Sequence, residues 1–161
     1  MSGSNPVPSV SPAAGDFEKK FVGKFGVIAA CISITMMFGA LTSAAIFRSG
    51  DSDWTHVPMP PILWINTLIL FASSYTIQRL DRVWSILLGS AFLAGQTHAW
   101  LSLRSAGISE AFFYVFTVTH AVHVIGGLFA MCFVRMESAR IYWHFLTGLW
   151  VYLMILFWIW R

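Results

Sequence analysis

Five predominantly apolar runs, each about the length of a membrane crossing, divide this chain of 161 residues. They occupy residues 25–47, 61–77, 83–103, 111–134 and 142–160. A helix needs about 20 apolar residues to cross a hydrocarbon core of about 30 Å. Lipid offers the backbone no hydrogen-bond partner, so only helices and closed barrels cross it. The runs show no strict alternation of polar and apolar residues, which removes the barrel. The expected fold is all-α, an integral membrane bundle of five transmembrane helices over residues 24–161. The Ser- and Pro-rich start, MSGSNPVPSVSPAAGDF, has no basic residue before Lys19. Residues 1–23 are therefore expected to be a flexible cytoplasmic tail. The first run is too long for a signal-peptide core and has no clear cleavage site, so it is read as a true span.

Composition narrows the function classes. Hydrophobic residues make up 57% of the chain and charged residues 11%, against about a quarter charged in a soluble domain. The spans use nearly all the residues, which leaves no soluble catalytic domain, and no nucleotide motif is present. The net charge of +3 implies no nucleic-acid partner, because the basic residues stand at span ends. Cys31 and Cys132 are far apart and lie in apolar runs, so neither a disulfide framework nor a zinc site is indicated.

The basic residues also predict orientation. Lys19, Lys20, Lys24, Arg79, Arg82, Arg135 and Arg140 fall on one side, and Arg48, Arg104 and Arg161 on the other. The richer side is cytoplasmic by the positive-inside bias. That puts the N-terminus in the cytoplasm and the C-terminus outside. Trp84, Trp100, Trp143, Trp158 and Trp160 stand toward span ends and read as interfacial anchors. Gly39 with Ser43, Ala91 with Gly95, and Gly126 with Ala130 place pairs of small residues on one helix face, which predicts close helix packing. The joints are GDSDWTHVPMPP, QRLDR, RSAGISE and RMESAR; the shortness of QRLDR makes the second and third spans antiparallel neighbours.

Polar residues inside spans are costly unless paired, so they should face the bundle or a partner. They are Asn66, Thr67, Ser73 and Ser74 in the second span and Gln96 and His98 in the third. Thr117, Thr119, His120 and His123 lie in the fourth span, and His144 opens the fifth. Lys24 and Asp81 sit at span ends, and no span carries a charged side chain in its middle. Proton pumps and ion carriers usually need one. Alone, the chain does not read as an enzyme, and no catalytic residue is assigned. His120 and His123 are three residues apart on nearby parts of one helix surface. Three roles stay open for them: haem or metal ligation with His98 or His144 opposite, a proton relay, and hydrogen-bonded packing between helices. The residues favour packing.

Four stretches share a further likeness. FFYVFTVTHAVHVIGGL resembles the signature of subunit III of the haem–copper oxidases, a Phe-Phe pair followed by a His-Gly-x-His-Val block and small residues. YWHFLTGLWVYLMILFWIW is similar to that family's last helix, INTLILFASSYT to its Asn-Thr and Ser-Ser helix, and FLAGQTHAWLSLRSAGI to the Gln-containing helix before the signature. The order and spacing agree from about residue 25 to the end. The resemblance singles out Asn66, Thr67, Gln96, Trp100, His120, His123, Gly127, Trp143 and His144 as family-motif and packing residues.

The resemblance implies a non-catalytic subunit III of a bacterial respiratory terminal oxidase. Such a subunit packs on subunit I, binds phospholipid and supports proton uptake. Haems and copper stay in the partner subunits, and no metal or redox cofactor belongs to this chain. An accessory subunit of a nitric oxide reductase and a haem- or quinone-binding membrane anchor are the alternatives. The departures are specific. The chain has five helices where the longest members have seven, so one arm of the family's V-shaped lipid cleft is not expected. Ile34 and Thr35 stand where the family carries a buried glutamate, Thr147 replaces an aspartate, and Ala121 replaces the glycine between the histidines.

Overall fold

The computed structural model describes residues 12–52, 54, 59–79, 81–102 and 108–160. These residues form five helices: α1 (Pro12–Arg48), α2 (Ile62–Gln78), α3 (Arg82–Ser102), α4 (Ile108–Phe133) and α5 (Met136–Ile159). The fold is all-α, as its apolar runs require. By length and composition, three stretches are suited to cross a membrane: residues Phe21–Arg48 of α1, Ala111–Phe133 of α4, and α5. The shorter α2 is also apolar.

Two helix starts differ from expectation. α1 begins at Pro12, ahead of its apolar run, so residues 12–23 are helical where a tail was expected. Proline is accommodated at a first helical position because its missing N–H would have no intrahelical acceptor there. α5 begins at Met136, so most of RMESAR is helix rather than joint. Arg135 is extended, at φ −61° and ψ 138°, and breaks the chain direction. Glu137 then stands in the first turn, where a carboxylate complements the positive helix end.

α2, α3, α4 and α5 form a ring in which each helix packs on the next and α5 closes back onto α2. α1 lies outside the ring, against α4 and α5 alone among the helices. α5 is the centre of the packing, with half of its apolar window buried, against 17% for α1. Its inward stripe runs Trp143, Leu146, Trp150, Leu153 and Phe157, a spacing of three and four that keeps one face inward. α1 docks through Phe38, whose ring meets Phe116 at 6.3 Å and His123 at 6.1 Å. The Thr42 and Tyr152 hydroxyls bond across the same seam at 2.7 Å.

The glycines that admit a neighbour are mostly not the ones expected. Gly39 and Gly126 have nothing within 4 Å of a Cβ position and do not bring helices together. The notches are Gly89, Gly95 and Gly127. A Cβ at Gly89 would lie 2.8 Å from the Trp143 ring, and one at Gly127 would lie 3.1 Å from it. Trp143 is thus slotted between α3 and α4. At the end of the ring opposite the α2–α3 joint, Trp54 closes the bundle, 5.7 Å from both Phe112 and Trp160.

Candidate functional site

The polar side chains of the ring fall into two interior layers. The first lies near the α2–α3 joint. The Trp143 indole N–H donates to Ser73 Oγ at 3.2 Å. Ser73 Oγ donates to the Ser85 carbonyl at 3.0 Å, and the Thr76 and Ser85 hydroxyls pair at 2.9 Å. Ser85 also donates to the Asp81 carbonyl at 2.8 Å. This layer ties α2, α3 and α5 together beside their tightest joint.

On the rim outside it, His144 Nε2–H donates to Gln78 Oε1 at 2.9 Å. Gln78 Oε1 also accepts from Arg140 at 3.0 Å. With Nε2 donating, His144 Nδ1 accepts from Ser74 Oγ at 2.6 Å. His144 therefore links α5 to α2 and is turned away from the other histidines' helix.

The second layer lies one side of the bundle's middle, and helix register places its members. Trp100 Nε1–H donates to Thr117 Oγ1 at 2.9 Å, setting α3 against α4. α3 and α4 run antiparallel, so one turn inward from that pair brings Gln96 level with His120. Asn66 lies against α3 at Gly95, where a Cβ would stand 2.0 Å from Asn66 Oδ1. Trp150 completes the level from α5, with its indole N–H on Thr67 Oγ1 at 2.9 Å. Phe92 lies below, meeting Trp150 edge-on at 4.9 Å and His120 at 5.9 Å. Asn66, Gln96 and His120 have 1%, 0% and 0% exposure.

The two signature histidines have different surroundings. His120 is enclosed in the core, with its ring 5.2 Å from that of Trp150. Neither of its nitrogens has a hydrogen-bond partner among the described residues. His123 is half-buried beneath α1, and its Nδ1–H donates to Thr119 O of its own helix at 2.7 Å. Tyr142 of α5 donates to the His123 carbonyl at 3.3 Å, so the backbone rather than the imidazole makes that interhelical bond. Among the described residues neither imidazole bonds to a neighbouring helix; the His120 ring packs against Phe92 and Trp150, and the His123 ring against Phe38. His98 is exposed on the outer face of α3. Among the described residues no group of three His, Cys, Asp or Glu side chains converges.

Several features that organise these layers were not singled out by sequence: Trp150, Ser85 and the Gly89 notch. One signal was available. Trp143 and Trp150 are seven residues apart, two turns along one face, and Trp150 falls mid-run where an interfacial anchor has no place. Trp143 was read as an anchor, but at 1% exposure it is core. Trp84 and Trp158 are more than half exposed, as anchors are. Gly127 carries the notch, while its neighbour Gly126 does not.

The chain matches no family model. It is similar to the cytochrome c oxidase subunit 3 of Thermostichus vulcanus, with 30% identity over 83% of this chain and 85% of the relative. The Synechocystis sp. protein of the same name is 27% identical over 82% of this chain and 73% of the relative. That of Corynebacterium diphtheriae is 30% identical over 77% of this chain and 82% of the relative.

Proposed function

Since the chain belongs to the cytochrome c oxidase subunit 3 family, we propose that it is the non-catalytic subunit III of a bacterial respiratory haem–copper oxidase. The observation that carries this reading is likeness to subunit 3 proteins along most of both chains. The interior agrees with a supporting role. Of the motif residues, Asn66, Gln96, His120, Gly127 and Trp143 are buried in the ring, and Thr67 and Trp100 bond across it. They hold helices to one another rather than presenting a reactive centre. Oxygen reduction and proton pumping belong to the partner subunits in this reading.

In the proposed setting all five helices cross the inner membrane. The seven-to-three basic bias supports a cytoplasmic N-terminus. The outward faces of α1 and α2 carry Phe25, Ile32, Met36, Trp64, Leu68 and Phe71, all about half or more exposed. Faces of this kind suit lipid or the apolar flank of subunit I. A groove of about 450 Å³ between α1 and α5, lined by Thr35, Phe38, Gly39, Phe145, Gly148 and Tyr152, is proposed to take a phospholipid chain.

Affinity purification in mild detergent tests the assignment. Oxidase subunits I and II should co-purify with the chain, and oxygen consumption should accompany the complex. Deleting the chain should leave the initial oxidase rate largely intact, with activity then decaying during turnover. Immediate loss of all activity from a fully metallated complex would rule out the supporting role. Co-purification with a nitric oxide reductase instead would favour the accessory-subunit alternative.

A further inference from the structure

The level of Asn66, Gln96 and His120 poses a problem that packing alone does not solve. Each of these side chains comes from a different helix, α2, α3 and α4, and all are buried. All six of their polar atoms lack a hydrogen-bond partner among the described residues. Two amides and an imidazole together offer five N–H donors and three acceptor atoms. Leaving a buried polar group unpaired is among the larger single penalties in a fold, and lipid cannot reach groups so enclosed. Gly95 stands against the Asn66 amide, and the rings of Phe92 and Trp150 lie 5.9 Å and 5.2 Å from that of His120. The neighbouring indoles are already committed, Trp150 to Thr67 and Trp100 to Thr117.

We infer that Asn66, Gln96 and His120 together form an internal water-binding site, in which ordered water joins α2, α3 and α4. Water is the one ligand small enough for an enclosed level that both donates to and accepts from the same groups. A buried water typically makes about three hydrogen bonds, one to each helix here. No charged side chain lies at this level in the sequence, so the site is a structural joint rather than a segment of a proton path.

Electron cryo-microscopy of the intact complex in nanodiscs, at a resolution that shows ordered solvent, tests the site without any substitution. Solvent density within hydrogen-bond distance of all three side chains is expected. Direct amide–imidazole bonding with no solvent between would overturn the inference. Stability gives a second reading. Asn66→Leu, Gln96→Leu and His120→Leu should each lower the unfolding temperature of the chain in the complex by roughly 3–10 °C. The triple variant should lose much less than the three losses added, because it leaves no polar atom stranded. Additive losses would mean that the three residues share no site. Should a variant fail to assemble, infrared spectra of the wild-type complex decide. A buried-water O–H band that shifts after incubation in H₂¹⁸O and is missing from the complex stripped of this chain supports the site, and no such band counts against it.

Discussion

Gly95 shows how much one hydrogen atom decides at the residue scale. Its missing side chain is where the Asn66 amide sits, so a methyl group there would overlap Asn66 Oδ1 at 2.0 Å. Gly95→Ala should therefore destabilise the chain by about 1–3 kcal/mol, the usual range for overpacking. Gly126→Ala, with nothing within 4 Å, should leave stability unchanged. Thermal unfolding of both variants in one detergent checks the pair, and equal losses would contradict the notch assignment. The indole bonds are smaller effects. Trp150→Phe keeps the ring against His120 and removes only the bond to Thr67. An interhelical hydrogen bond in a membrane contributes about 0.6 kcal/mol on average, and about 1.7 at most. A double-mutant cycle with Thr67→Val should return a coupling within that range. For His123, whose imidazole bonds among the described residues only within its own helix, Gln and Leu variants should assemble alike.

At the element scale α1 is the helix most easily released, because it touches only α4 and α5. Phe38 is its anchor, at 1% exposure in the narrow stripe that α1 buries with Ile34, Thr42 and Ala45. Truncating it leaves a cavity, and since lipid replaces water here, only the packing share of a core phenylalanine's value is lost, about 2–3 kcal/mol. Phe38→Ala should thus speed hydrogen exchange across α1 while α2 and α3 keep their protection. Uniform loss of protection would mean that α1 is integral to the ring. α5 behaves oppositely, because it meets α1, α2 and α4. Trp143→Ala would empty the slot between Gly89 and Gly127 and should cost the whole ring its protection.

At the scale of the whole molecule, orientation and assembly are open to direct test. Ser138 is buried at 5% exposure and is a poor reporter of sidedness. Glu137 is exposed on the side carrying the α4–α5 joint, and Ser52 is exposed on the opposite one. In a background without Cys31 and Cys132, Ser52→Cys should be labelled from outside intact spheroplasts and Glu137→Cys should not. The reverse pattern would invert the topology argued from basic residues.

The helical class, the approximate place of each run and the family are legible in the residues alone, because these follow from run length, hydropathy and motif order. The sequence also predicted that polar residues would face the bundle or a partner, since lipid penalises them wherever they cannot pair; Asn66, Gln96 and His120 turn inward, while His98 faces out. Tertiary structure decided which of them meet. Asn66, Gln96 and His120 are 54 positions apart at the extremes, and only the antiparallel register set by Trp100 and Thr117 brings them level. The same holds for glycine. Gly126 and Gly127 are adjacent and chemically identical, yet only Gly127 faces Trp143. A helix turns about 100° per residue, so neighbours in sequence face different surroundings, and which surroundings they meet is a property of the packed ring.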